Sequence, residues 1–187
     1  MEHRKLLETN KLVSTHFTLI ERFRDQMNLI GRGDATVHFE DAAKGLSGLS
    51  PEGRWADLGS GAGFPGVMFA ALYPAVTLEL VDSRMKRTIF LDKVVAEGGA
   101  ENTTVCCCRV ETLPTDSYDG VMARAFAQPD AVLKHADRLL VAGGTAVLFL
   151  SEFAQLPMHK SFSLMEDRTY QTATHTRRVA TLTKNRD

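Results

Sequence analysis

The sequence predicts a three-layer α/β fold around a mostly parallel, seven-stranded sheet, led in by N-terminal helices. Three observations carry this. From Pro51 onward, strand-like and helix-like segments alternate, the pattern of a sheet with helices on both faces. The strand segments from Arg54 to Leu58, Thr77 to Val81, Thr103 to Cys108, Tyr118 to Ala123 and Thr145 to Leu150 lack a regular polar face, as parallel strands covered on both sides require. The first strand opens straight into a glycine-rich turn, Gly59 to Gly63. In such sheets ligands bind outside the carboxyl ends of the strands.

Each element has a local reason. Glu2 to Ile30 reads as one helix, free of proline and glycine, with Leu6, Leu7, Val13, Phe17, Ile20, Phe23 and Met27 forming an apolar stripe. Gly31-Arg32-Gly33-Asp34 breaks it, and Val37 to Leu46 forms a second helix before the breaker region from Gly45 to Gly53. Residues 1–50 are therefore expected to be a helical segment packed on a ligand-binding domain of residues 51–187. Pro65 to Leu72 is a helix with proline in its first turn, where a missing N–H costs nothing. Arg84 to Glu97 is a helix stopped by Gly98-Gly99, and Asp130 to Leu140 one stopped by Gly143-Gly144. The Thr-rich stretches between Ser161 and Lys184 supply two antiparallel edge strands.

Composition excludes several classes. A chain of 187 residues can bury roughly 70% of its unfolded surface and needs no staple. Its 22 Lys and Arg against 23 Asp and Glu leave a net charge of -1, so bulk charge does not hold it to nucleic acid, although a local basic patch can. No apolar run reaches the roughly 18 residues of a membrane helix, because Pro74 and Glu79 interrupt the best stretch. Charged and polar residues flank Leu6 and Leu7, so no signal peptide is read. Cys106, Cys107 and Cys108 are adjacent and lack ligand-like spacing. They are expected to be inert buried thiols in a reducing, cytoplasmic compartment, with no disulfide and no metal.

The chemistry concentrates at Asp57-Leu58-Gly59-Ser60-Gly61-Ala62-Gly63-Phe64-Pro65-Gly66. The glycines let the backbone approach a ligand, and the following helix offers its free N–H groups. Gly61 to Gly66 spells G-x-G-x-x-G, with Asp82 and Ser83 about 20 residues on, which fits a dinucleotide oxidoreductase. Asp57 opposes that reading, since a carboxylate beside a pyrophosphate is repelled by several kcal/mol in order of magnitude. S-adenosylmethionine carries an ammonium, a sulfonium and no phosphate, so an acid at the turn favours it. The plain structural alternative is that Asp57 only caps the turn. Asp82 is placed for a ribose diol. Val110 and Glu111 either read an adenine edge or form a solvated strand end. Arg124, after the fourth strand, either grips an anion or makes a surface ion pair. His38 is a substrate contact or a structural histidine.

The order and spacing of Asp57 to Gly66, Leu80-Val81-Asp82-Ser83 with Lys86-Arg87 and Phe90-Leu91, Arg109-Val110-Glu111, and Arg124-Ala125-Phe126-Ala127 resemble the RsmG (glucose-inhibited division protein B) family of bacterial ribosomal RNA methyltransferases. Asn28-Leu29-Ile30 and His38-Phe39 with Asp41 look like that family's lead-in. The resemblance implies a Rossmann-like methyltransferase fold and S-adenosylmethionine-dependent methylation of guanine N7 in small-subunit ribosomal RNA, by direct displacement with no catalytic base. By position it implies cofactor contacts at Gly59, Phe64, Val110, Glu111 and Arg124, with Asp82 on the ribose. The partner is ribosomal RNA or the small subunit, met by a monomer.

The candidate RNA contacts are His38, Arg84, Arg87 and Arg124, with Lys86 and the tail residues Arg177, Arg178, Lys184 and Arg186, which otherwise form a solvated face. The first helix, with Arg4, Lys5 and Lys11, is a candidate lid over the crevice. Where the family usually carries Lys-Gly after the fifth strand, this chain reads Leu150-Ser151-Glu152-Phe153. That departure motivates the alternatives of another acceptor on the same fold, or a non-catalytic cofactor-binding protein.

Overall fold

The computed structural model describes residues 2–186, with side chains from residue 5. Three helices come first, α1 (Glu2–Thr9), α2 (Lys11–Met27) and α3 (Thr36–Leu46). Then follow β1 (Arg54–Leu58), α4 (Gly66–Leu72), β2 (Thr77–Asp82), α5 (Met85–Gly98), β3 (Thr103–Cys107), a 3-10 turn (Val110–Thr112), β4 (Tyr118–Arg124), α6 (Pro129–Leu139), β5 (Leu140–Ser151), β6 (Phe162–Gln171) and β7 (Thr176–Lys184). The seven-stranded sheet runs β3-β2-β1-β4-β5-β7-β6. Its first five strands are parallel and β7 is antiparallel to both neighbours.

The two-residue alternation of the strands divides the core. Trp55, Leu78, Leu80, Met122 and Val147 join one buried cluster with residues of α2 to α5. Ala56, Leu58, Val81, Val121 and Ala146 face the other way, onto Val132, Leu133 and Ala136 of α6. Leu12, Val13, Leu19 and Ile20 belong to the first cluster, so the N-terminal helices share the core of the sheet.

Four expectations change in detail. The first helix is two: Asn10 is extended, and its side chain accepts from the Val13 N–H at 3.1 Å, capping α2. At the other end Asn28 adopts a left-handed φ of 48° and closes α2. The glycines at 143 and 144 do not end α6. Leu140 turns extended at once, and both glycines lie within β5, where the pairing slips between Tyr118 and Gly120. Pro65 precedes α4 rather than opening it. Of the two tail strands only β6 is an edge, since β7 lies between it and β5.

The lid expectation fails as well. Leu12, beside Lys11, packs on Gly98 at the carboxyl end of α5, the opposite end of that helix from Arg84. The side chain of Arg4 lies outside the described residues. Among the described residues no helix is long and apolar enough to cross a membrane.

Candidate functional site

The glycine turn is held by its own main chain and by two aspartates. The Ser60 N–H donates to the Val81 carbonyl at 2.9 Å and the Gly63 N–H to the Ser60 carbonyl at 2.7 Å. Asp82, 4% exposed at the end of β2, accepts from the Gly61 N–H at 3.0 Å and the Arg84 N–H at 2.8 Å. Gly59 has φ +70°, and a Cβ there would lie 2.4 Å from the Phe126 ring. Only glycine fits this backbone and this neighbour.

Asp57 is where the structure departs most from expectation. By strand alternation it shares the face of Trp55, beneath α4, and it is 0% exposed. Its Oδ2 accepts from the Gly66 N–H at 3.0 Å, tying the first turn of α4 to β1. Burial raises its carboxyl to about 7, against the opposing pull of that hydrogen bond. It therefore does not display a charge at the mouth of the strand, as anticipated, but clamps the turn from below. Its Oδ1 is buried without a partner among the described residues.

Above the turn lies a crevice of about 370 Å³. Gly59, Asp82, Ser83, Arg84, Val110 and Glu111 line it, with Val81, Cys108, Arg109, Ala125 and Phe126. Six of the expected ligand contacts are thus brought together from the ends of β1 and β2 and the 3-10 turn. Other members of the turn are not part of this surface. Ser60 is buried, its hydroxyl donating to the Asp57 carbonyl at 2.9 Å. The Phe64 ring is buried between His16, at 4.7 Å between ring centres, and Phe39, at 4.8 Å. Gly61 and Gly63 act through the turn they permit.

Ala125 and Phe126 also line a second cavity, of about 430 Å³. Among apolar walls that include Val132, Leu148 and Phe149 stand His38 and Asp41 from α3, Arg124 from β4, Gln128 before α6, Ser151 at the end of β5, Ala154 after it, and Arg177 from β7. Arg124 donates to Asp41 at 2.8 Å and lies over the Phe64 ring at 5.0 Å. The Tyr170 hydroxyl donates to the other Asp41 oxygen at 2.8 Å, and burial together with Asp41 pushes the Tyr170 phenol upward. Arg124 is thus an internally paired group at the cavity wall. Burial, reinforced by Arg124, lowers His38 to about 4, so it is neutral at pH 7. The Arg177 Nε is buried without a partner among the described residues.

The other proposed RNA contacts divide. Arg84 projects into solvent at the crevice edge, 3.7 Å from Asp82. Arg87 instead donates to the Asn28 carbonyl and fastens the end of α2 to α5. Arg178 is taken up by Asp167 at 2.6 Å, and Lys184 by Asp116 and the carbonyls of Asp137 and Leu140. The thiols are not fully buried: Cys107 is exposed, and Cys106 and Cys108 are half-buried on one face with sulfurs 3.0 Å apart. Burial and its neighbour push Cys106 up to about 12.

Sequence reading missed His16, which is fully buried in α2 with Nε2 2.6 Å from the Ala62 carbonyl. Burial lowers it to about 4, so it is neutral and its Nε2–H donates to the turn. The available signal was its place between Val13 and Ile20 on the apolar stripe. Asp41 carried a signal too, one helical turn after His38.

With this geometry in view, the comparisons are specific. The family model for rRNA small subunit methyltransferase G (GidB) matches residues 9–178. The ribosomal RNA small subunit methyltransferase G of Rhizorhabdus wittichii is 40% identical over 131 residues, covering 64% of this chain and 60% of that protein. The Paracoccus denitrificans protein of the same name is 29% identical over 182 residues, covering 89% of this chain and 90% of that one. For Rhizorhabdus and for Erythrobacter litoralis, the chain spans only 60% and 62% of the curated relative's length. Among solved structures, P. horikoshii TYW2 in complex with MeSAdo matches with a TM-score of 0.64 at 10% identity, over 83% of this chain and 65% of that chain. TrmN from Thermus thermophilus matches with 0.58 at 21% identity, over 76% and 48%. These two likenesses are of fold.

The dinucleotide reading of Gly61 to Gly66 falls with these matches, because the motif sits in a chain whose sequence and sheet both follow methyltransferases. With the family model matched over residues 9–178, the chain belongs to the rRNA small subunit methyltransferase G family.

Proposed function

We propose that this chain is an S-adenosylmethionine-dependent methyltransferase that modifies N7 of a guanosine in small-subunit ribosomal RNA. The observation that carries the reading is the meeting of the two cavities at Ala125 and Phe126. One offers a crevice with Asp82 and Glu111 facing Arg84 and Arg109, and the other a largely apolar cavity bearing arginine, histidine and glutamine. The residues present fit the cofactor. Asp82 and Glu111 border the crevice, Gly59 admits close approach, and the unmet Asp57 Oδ1 is a buried acceptor suited to a cationic amine.

On this reading Gly59, Asp82, Ser83, Val110 and Glu111 hold the nucleoside, with Asp82 accepting from the ribose. Asp57 fixes the turn and favours a positive ligand once it ionises. Bound S-adenosylmethionine supplies an electrophilic methyl group on a sulfonium. Guanine N7 presents a free lone pair at neutral pH, so no side chain has to remove a proton. His38, held neutral by burial and Arg124, adds no positive charge beside a base that becomes cationic. Arg177, which lines the cavity, is the cation for the carbonyl edge of the acceptor. Arg124, paired with Asp41, positions the wall rather than the ligand.

We read the protein as a cytoplasmic monomer in which residues 1–50 support the 51–187 domain. The test is transfer of labelled methyl groups to small-subunit RNA, naked or assembled, from cells lacking the modification. Labelled 7-methylguanosine in the digest supports the reading. Cofactor binding without transfer to either substrate overturns it, in favour of a different acceptor or a non-catalytic role.

A further inference from the structure

The turn after β5 carries a feature that the cofactor crevice does not use. Phe153 is 88% exposed there, and its neighbours Ser151 and Ala154 line the second cavity together with Arg177. The turn is firmly mounted. Its Ala154 N–H donates to the Ser151 carbonyl at 3.1 Å. The Ala154 carbonyl accepts from Arg178 Nη1 at 2.7 Å, and Arg178 is locked by two 2.6 Å hydrogen bonds to Asp167. An aromatic ring in water is thus presented on a fixed support at the rim of the acceptor cavity.

The chemistry of the turn says what such a ring can meet. From Ser151 to Met158 there is no lysine or arginine, and Glu152 stands beside Phe153. Of the cations nearby, Arg178 is taken up by Asp167 and Arg177 belongs to the cavity wall, so the ring is offered to the uncharged face of a base rather than to a phosphate. Every base has such a face, and unstacked bases in single-stranded RNA are commonly held on aromatic side chains. The exposed apolar side chains of this segment, Phe153 and Met158, are also far from the roughly 800 Å² per partner of a stable protein interface. Resting on the functional reading above, we propose that Phe153 is a stacking platform for the nucleotide next to the methylated guanosine, selecting an acceptor that is single-stranded and splayed at that point.

The experiment compares the full-length protein with Phe153→Ala and Phe153→Trp on naked small-subunit RNA lacking the modification. Phe153→Ala raises KM for the RNA about tenfold, leaves S-adenosylhomocysteine affinity within twofold, and leaves the salt dependence of KM unchanged, because no phosphate contact is lost. Phe153→Trp restores KM, and its added fluorescence is quenched by a short single-stranded RNA containing guanine. An unchanged KM for Phe153→Ala, or fluorescence of the Phe153→Trp variant that this RNA does not quench, overturns the proposal while transfer by the unaltered protein leaves the functional reading standing. An increase in KM confined to assembled subunits also overturns it, and assigns the ring to a ribosomal protein. Absence of transfer by the unaltered protein to both naked RNA and assembled subunits removes the functional reading itself.

Discussion

The crevice under Asp82 and the cavity under Arg124 meet at Phe126, yet they are constructed differently. The crevice is made of main chain: a glycine turn whose N–H groups are fixed by Asp82 and, from below, by Asp57. The cavity is made of side chains that reach in from α3, β4, β5 and β7, tied by the Arg124–Asp41–Tyr170 network. A main-chain site can bind a ligand common to many enzymes with few demands on side-chain identity. A side-chain site can change its acceptor by changing a few residues. On the proposed function, backbone geometry sets the cofactor's place and the contributed side chains set the choice of substrate.

Acidity acts on both regions, and within the glycine turn with opposite signs. His16, lowered to about 4 from 6.5, takes up protons in the unfolded chain before the folded one. Its contribution is therefore complete above about pH 6.5 and is lost as pH falls towards 4, at about 3 kcal/mol. His38, lying partly open beside the cavity, adds a smaller effect of the same sign. Asp57 has the opposite sign. Raised to about 7, it is stabilising below the ordinary carboxylate range and loses that contribution as pH rises through 7. Urea unfolding at pH 7 and pH 4.5 will show the histidine losses opposed by the Asp57 gain in the unaltered protein, and His16→Phe will shift the balance towards the gain on acidification. A His16→Phe profile that matches that of the unaltered protein contradicts the assignment.

Asp82→Ala leaves the Gly61 and Arg84 N–H groups without their acceptor and removes the ribose partner. S-adenosylhomocysteine affinity should fall about 100-fold by calorimetry. Asp57→Asn is expected to cost about tenfold. It should also abolish the strengthening of ligand binding between pH 6 and 8 that ionisation of a group near 7 brings to a cationic ligand. Retained pH dependence in Asp57→Asn would detach that residue from the ligand. Smallest of all, Tyr170→Phe removes one hydrogen bond to Asp41 and should lower stability by about 1 kcal/mol in chemical denaturation, with no change in ligand affinity.

The two regions also differed in how well the chain announced them. The crevice is nearly local: Asp57 to Gly66, Asp82-Ser83 and Val110-Glu111 each end a strand, so a strand pattern and a glycine turn suffice to assemble it. Even here, strand alternation buries Asp57 with Trp55, so its place at the end of β1 does not display its charge. The cavity has no local signature. Asp41 meets Arg124 across 83 residues, and Tyr170 meets Asp41 across 129, through the insertion of β7 between β5 and β6. The break at Asn10 was hidden because an unbroken polar and apolar rhythm continues through a cap, and the junction of α6 and β5 because the two glycines that mimic a helix stop instead serve a strand bulge.

The division of labour is tested most directly by measuring both ligands on two variants, Asp82→Ala and Arg177→Met. The expected result is a crossover: Asp82→Ala weakens S-adenosylhomocysteine binding, while Arg177→Met raises KM for RNA about tenfold and leaves S-adenosylhomocysteine affinity within twofold. If Arg177→Met weakens the nucleoside as much as Asp82→Ala does, the two cavities act as one site and the division is contradicted.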